Sequence, residues 1–445
     1  MKITKITSST IIINIDNIKI VCDPWIANGE YYGSWFLEEK IDKKKSYELI
    51  NNCDYLYISH IHPDHMSKKT LKNIKKDIKV LIHKFSSPFV KNNLNILGFN
   101  NILELNHGEQ YNLAQETKIK IFAADDCNPE ICGRIMGCTY DTDQIGKNSH
   151  QIDTCSVIFN KELSILNLND CHVNLMEKTL NRVLNEHKKI NYLLVNYSSA
   201  HSYPQCIQNL NISDKLKESK RLKKLSFSYT EKYLDIIKPD NFIPFAGEYF
   251  IGGKNHNYND FYGVNSQNDC FEYFSKSKFE DKLIMLNYGS SYLKGEGNKF
   301  KKLDNNKIEK YKNEISLIKY DYEHYKMPNQ FNVEKLLIEA SKVLFKRLEK
   351  ENIKFNENIG IKYFNKLFVL DFQNYLFEIL INTKKIENKK ITLLKLDERL
   401  LENILLGPRF AHWNNADIGS HIQYTRINID KYNYKLFNML SYMHT

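Results

Sequence analysis

Within six residues the chain carries three histidines and an aspartate, His60-Ile-His62-Pro-Asp64-His65. That density of metal-ligand side chains sets the first chemical expectation. His60 and His62 are two positions apart, so in extended backbone both imidazoles leave the same side of the chain and can share one metal ion. Pro63 then bends the chain, and Asp64 and His65 can take a second ion beside the first. Imidazole with carboxylate suits iron, zinc or manganese, which narrows the metal without naming it. Lone loop histidines are ordinary surface residues; this many ligand types directly behind a hydrophobic run are better explained as a metal centre.

Stepping outward, Tyr55-Leu-Tyr-Ile-Ser59 reads as a buried strand and Met66 to Ile74 as a helix capped by Ser67, so the ligands sit on the loop leaving a strand end. Upstream, two apolar runs over 11–15 and 18–22 flank Asp16-Asn17, a hairpin signal, and the second ends in Asp23-Pro-Trp25. Asp23 is expected to be structural or to support the metal loop from behind. The aromatic segment Tyr31-Tyr-Gly-Ser-Trp-Phe36 follows. Strands near 79–82, 102–105 and 119–123, with a helix near 87–97, have the alternation of an α/β fold. Asp153 to Phe159 and Ser164 to Leu168 read as a strand pair about Asn160-Lys-Glu162. A strand over 191–196 runs into Tyr197-Ser-Ser-Ala-His201, and another over 240–247 into a loop with glycines at 247, 252 and 253. Tyr197 and His201 are candidate substrate contacts, together with Trp25 and His412. The glycines let the loop fold back, which makes His256 a candidate last metal ligand; a surface loop histidine is the alternative.

The 445 residues suffice for two domains, and 42% hydrophobic with 26% charged residues is the composition of a soluble globular protein. The net charge of +10 is spread among Asn and Ile rather than in an aromatic-interleaved basic track, which argues against a nucleic-acid partner. Its densest cluster, Lys215 to Lys224, has helical spacing and mixed sign, the pattern of a solvated helix face. Nine cysteines without a recognisable secretory signal point to a reducing compartment, and no stretch nears the roughly 20 apolar residues of a membrane span. The expectation is a cytoplasmic enzyme with neither nucleic-acid nor membrane partner. Cys127, Cys132 and Cys138 are either buried thiols or part of a separate zinc site. Beyond residue 300 the texture changes: helical periodicity over 308–325 and 333–350 gives way to strands over 366–372, 375–381 and 390–396 and a helix capped by Asp397. The expected division is a metal domain over 1–300 and an α+β domain over 301–445, whose element order loosely resembles sterol-carrier-type lipid domains. The polar, aromatic stretch Gly407 to His421 is a candidate cover for the active site or the domain junction.

The pattern His-x-His-x-Asp-His at a strand end resembles the signature of the metallo-β-lactamase fold superfamily. The resemblance implies an αββα sandwich and further ligands on later strand ends. Where such folds commonly supply another histidine, this chain has Asp125-Asp126, and Asp126 is taken as the ligand with Asp125 as the alternative; the two can equally cap a turn. Asp170, after the strand 164–168, stands where the superfamily places its metal-bridging carboxylate. His172 is then expected behind the ligands or in a structural role.

More specifically, Cys22-Asp-Pro-Trp25, Tyr57-Ile-Ser-His60-Ile-His-Pro-Asp-His65, Asn169-Asp-Cys171 and Ile243-Pro-Phe-Ala-Gly247 look like the metal domain of the CMP-N-acetylneuraminate hydroxylase family. That family implies oxygen-dependent hydroxylation of a CMP-activated sialic acid, with electrons from a Rieske centre. The centre needs Cys-x-His and Cys-x-x-His pairs, and neither spacing occurs here. Two chemistries follow. In the favoured one, His60, His62, Asp64, His65, Asp126, Asp170 and His256 hold two irons, the small-molecule substrate is an activated sugar, and a separate protein donates electrons. In the other, zinc or manganese activates a water that attacks an ester, lactone, amide or phosphoester. Asp64 and Asp170 are the candidate catalytic carboxylates, Asp64 as both ligand and proton acceptor.

Overall fold

The computed structural model describes residues 1–126, 152–297, 300–381 and 386–445; Cys127, Cys132 and Cys138 lie outside them. The chain opens with β1 (Lys2–Lys5), β2 (Ile11–Ile15) and β3 (Ile18–Cys22). Asp16 and Asn17 close the β2–β3 hairpin with φ of 49° and 64°, the left-handed pair that a two-residue turn of matching twist requires. After the short β4 (Trp35–Phe36) come β5 (Tyr55–Tyr57), β6 (Lys79–His83) and β7 (Ile102–Leu105). Next are β8 (Gln110–Asn112), β9 (Lys118–Ala123), β10 (Thr154–Phe159), β11 (Ser164–Asn167), β12 (Tyr192–Val195) and β13 (Asn241–Pro244). Then β14 (Phe250–Ile251) pairs with β4, and β15 (Ser290–Leu293) with β1.

One sheet has the order β15-β1-β2-β3-β5-β6-β7 and the other β13-β12-β11-β10-β9-β8. Alternation along the strands sorts their side chains. Ile13, Ile20 and Leu81 of the first sheet meet Ile121, Ile158, Leu194 and Ile243 of the second between the sheets. Val21, Leu56 and Val80 face outward onto Ile50, Leu71 and Leu94 from helices Lys43–Asn51, Lys68–Leu71 and Phe89–Ile96. Leu166, Leu193 and Phe242 face Val183, Phe227, Leu234 and Phe274 from helices Glu177–Glu186, Ile212–Ile237 and Gln267–Phe274. Each fully buried Leu or Ile stabilises these layers by about 2 kcal/mol. The result is the expected αββα sandwich. Residues 215–224 lie, as their spacing predicts, on a helix, Ile212–Ile237, with its lysines outward. Among the described residues no helix is long and apolar enough to cross a membrane.

After helix Asn305–Ser316 and helix Gln330–Lys350 the chain builds β16 (Asn358–Tyr363), β17 (Lys366–Asp371), β18 (Leu376–Leu380) and β19 (Ile391–Lys395), then helix Glu398–Leu405 and β20 (Gln423–Ile427). The sheet order is β18-β17-β16-β19-β20. Sequence pattern anticipates β17 to β19 but not the other two. Gly360 interrupts the β16 pattern because a Cβ there would lie 2.7 Å from Leu393, and β20 is a mostly half-buried edge of polar residues. Leu337, Ile361, Phe368 and Leu401 of this C-terminal unit share one core with Trp25, Tyr31, Trp35 and Tyr249, so the unit packs on the aromatic segment after β3.

Candidate metal centre

β5 lies parallel to β3, with Tyr57 opposite Cys22, so Asp23 and Ser59 leave the sheet side by side. Asp23 is fully buried with φ 46° and accepts from Ser59 N at 2.7 Å, Ser59 Oγ at 2.6 Å and His65 Nδ1 at 2.9 Å. Burial pushes its carboxyl up, and His65 and Ser59 oppose that rise. Because Ser59 Oγ donates to Asp23, it accepts from His60 Nδ1 at 2.9 Å. Asp23 thus orients both His60 and His65 with Nε2 free for a ligand role. The loop closes on itself where His65 N and Met66 N both donate to the His62 carbonyl.

Among the described residues, two overlapping groups of side chains could hold a metal ion: His60, His62 and Asp153, and His60, His65 and Asp170, with donor atoms within 4.8 Å of one another in each. His60 Nε2 lies 2.9 Å from His62 Nδ1 and 3.7 Å from Asp153 Oδ1. Asp170 Oδ2 is 3.1 Å from His65 Nε2 and 3.8 Å from Nε2 of His60, the residue the two groups share, and Asn196 Nδ2 holds its other oxygen at 2.8 Å. Asp64 Oδ2 is 3.4 Å from His65 Nε2, and the Tyr31 hydroxyl donates to Asp64 Oδ1 at 2.7 Å.

These residues suit metal ions. Asp153 Oδ1 is buried without a hydrogen-bond partner, a costly state for a polar atom unless a cation accepts its lone pair. Burial and the Asp170 charge push Asp153 up to about 8. Burial pushes His60 and His62 down, toward the neutral form a ligand requires. For His65, burial disfavours charge, yet Asp170 and Asp64 hold it well above its usual value; burial opposes the Asp170 charge, and His65 holds it low. A metal ion would take the place of that proton.

The structure brings His60, His62, Asp64, His65 and Asp170 together and leaves other expected residues elsewhere. Asp126 is exposed, 3.8 Å from Lys178, while Asp125 caps helix Glu177–Glu186 by accepting from Lys178 N and Thr179 N. The carboxylate sought at the end of β9 comes instead from the neighbouring strand. β10 runs antiparallel to β9 with Thr154 opposite Ala123, and Ala124 N donates to the Asp153 carbonyl, so Asp153 occupies the same sheet end. His256 is exposed on a one-sided 3-10 segment, Gly253–Asp260, bonded to the Gly253 carbonyl, because the glycine loop coils locally rather than folding back. Tyr197 is buried and donates to Glu248 at 2.7 Å, behind the sheet; the strand end reaches the cluster through Asn196, one residue earlier and on the opposite face. His201 is turned to the Tyr203 carbonyl at 2.6 Å, and Trp25 is a core residue donating to the Ala27 carbonyl. His172 caps a short turn by accepting from Asn174 N. His412 packs on the turn that carries Tyr31: its backbone N donates to the Tyr32 hydroxyl at 2.7 Å. Burial, with the charges of His444 and His62, pushes its imidazole down to about 4. Tyr31 was visible in the sequence only as part of an aromatic segment, with nothing to mark its hydroxyl as a partner of Asp64.

Sheet order, helix layers and the carboxylate–histidine cluster at the strand ends together have the arrangement of the metallo-β-lactamase fold. Residues 2–185 match the family model of the β-lactamase superfamily domain. A Mycobacterium tuberculosis relative, named as a Rieske 2Fe-2S iron-sulfur protein, is 32% identical over 114 residues, 25% of this chain and 22% of its own length. The inactive cytidine monophosphate-N-acetylneuraminic acid hydroxylase of Homo sapiens is 24% identical over 259 residues, 56% of this chain and 45% of that protein. This chain thus spans less than half the length of each. Among solved structures, the isothiocyanate hydrolase from Delia radicum gut bacteria aligns with a TM-score of 0.45 at 16% identity, over 66% of this chain and 99% of that one.

Proposed function

We propose that the chain is a dinuclear oxygen-dependent hydroxylase acting on a nucleotide-activated sugar of the CMP-sialic-acid type, with a separate protein as electron donor. The observation that carries this reading is the ligand set itself: three histidines and three carboxylates, with Asp153 where a third imidazole would make a softer, zinc-type site. The similarity to the CMP-N-acetylneuraminic acid hydroxylases supports the substrate class. His60, His62 and Asp153 would hold one ion, and Asp64, His65 and Asp170 the other. Bound iron would supply the oxygen-activating chemistry, and zinc or manganese in the same place a Lewis acid. The chain's own residues do the positioning. Asp23 fixes two imidazoles, Asn196 leaves Asp170 one free oxygen, and Tyr31 leaves Asp64 the same. His412 Nδ1 accepts from Asn414 N, so its Nε2–H remains to donate to an acceptor on the substrate.

These 445 residues contain no Cys-x-His or Cys-x-x-His pair, so electrons would arrive from a donor outside them; the same fact favours the second reading, a zinc or manganese hydrolase. Metal content and absorption of protein purified without oxygen, before and after air, separate them. About two irons per chain with a spectral change on oxygenation, and consumption of CMP-sialic acid with an added donor, is the expected result. About two zincs indifferent to oxygen would reject the hydroxylase.

A further inference from the structure

The segment between β3 and β4 has an unusual backbone. Gly29, Tyr31, Tyr32 and Gly33 take φ of 84°, 48°, 60° and 96°. Two consecutive tyrosines in the left-handed region cost energy that the surroundings must offset. Much of what holds them comes from the C-terminal unit. His421 Nε2 donates to the Tyr31 carbonyl at 2.7 Å, alongside Ser34 Oγ at 3.0 Å from within the turn. A carbonyl only accepts, so Nε2 carries the proton, and His421 Nδ1 accepts from the Tyr322 hydroxyl at 3.0 Å. Gly33 lies directly on the 320–321 backbone, where a Cβ would meet Asp321 N at 2.8 Å, and Lys69 ties the Gly29 carbonyl to Asp321. All three rings of the chain Tyr322, His421 and Tyr31 are buried. At its end the Tyr31 hydroxyl takes one oxygen of Asp64.

We propose that His421 is a positioning residue for the metal centre: through the Tyr31 carbonyl it holds the left-handed turn so that the Tyr31 hydroxyl fixes Asp64 with Oδ2 toward the ion. A carboxylate tied at Oδ1 offers a single oxygen in a set direction; released, it rotates and loses affinity. The C-terminal unit thereby completes the half of the cluster made by Asp64 and His65, and not the half made by His60, His62 and Asp153. This rests on the reading of the cluster as a metal site and not on which reaction follows.

Titration of the metal-free full chain with Co(II), read by its visible absorption and by competition with a chelator, tests it. Tyr31→Phe is expected to weaken one of two binding events by about 10- to 100-fold and to leave the other unchanged. His421→Ala should weaken the same event, and His421→Gln, which restores an N–H, should recover it. In Tyr31→Phe/His421→Ala the loss should equal that of Tyr31→Phe alone, since both changes break one linkage. Additive losses, or a His421→Ala protein with only a lower Tm and unaltered Co(II) binding, would overturn the proposal. Should His421→Ala not fold, Tyr322→Phe removes the bond that orients the imidazole; it should weaken the same event to a smaller degree, and unchanged binding there would overturn it as well. A wild-type chain that takes up no Co(II) would instead refute the metal site itself, and the proposal with it.

Discussion

The two halves of the ligand cluster stand a few ångströms apart and are held in different ways. His60 and Asp153 rest on elements of the sandwich: Ser59 and Asp23 at the ends of β5 and β3, and the start of β10 beside β9. Asp64 depends on Tyr31, on a left-handed turn, and through it on His421, 390 positions beyond Tyr31. His65 belongs to both, since Asp23 holds it from the sandwich. A rigid half built from paired strands and a half completed by a distant unit make different demands on the fold. The first needs only the sheets, whereas the second needs the whole molecule.

The largest expected effect breaks the first half. Asp153→Ala should remove one ion and lower activity at least about 100-fold, as should His62→Ala, while Asp126→Ala and His256→Ala keep both ions. Elemental analysis of the four variants checks this; a chain that loses an ion with Asp126→Ala but not with Asp153→Ala would reverse the assignment. A smaller loss should follow where the halves meet. Asp23→Asn keeps the size of the side chain but weakens the support of both imidazoles, so both binding constants should fall by about 10-fold or more in calorimetric titration. A change confined to one ion would show that Asp23 serves only its half.

The smallest effect concerns the floor of the second half. Glu30, on the left-handed turn, is buried and accepts from Ser67 Oγ at 2.6 Å. Burial raises its carboxyl from 4.5 to about 7. Between those values the folded state binds more protons than the unfolded one, so this group's contribution falls as pH rises from 4.5 toward 7 and is then spent. Glu30→Gln removes that slope. Its Tm should match wild type near pH 5 and exceed it by a few degrees at pH 8; an equal shift at both would show that Glu30 does not titrate in this range.

How much of this the sequence disclosed follows from distance along the chain. His60 to His65 are contiguous, and the apolar run before them marks the strand end that presents them. Asp170 was indicated by the resemblance to the metallo-β-lactamase fold, which places a carboxylate after this strand. Asp153 was legible as the start of a strand and not as a ligand, because its role arises from the antiparallel pairing of β10 with β9, which no local pattern records. Tyr197 and Asn196 differ by one residue, and a single step along a strand exchanges the face toward the metal for the face toward the core. The helix-and-strand pattern beyond residue 300 identified an α+β unit. Its contact with Asp64 runs through a carbonyl and a hydroxyl, groups that leave no periodicity in composition.

The span between Tyr31 and His421 also orders events in time. A ribosome delivers the residues of the first half-cluster, and the turn that must bend to serve the second, long before it delivers the imidazole that secures that turn. A nascent chain folding from its leading end can therefore present His60, His62 and Asp153 as a finished cradle while Asp64 still swings free. On the proposed role of His421, the support of Asp64 is completed late, only in chains whose synthesis has run through that residue.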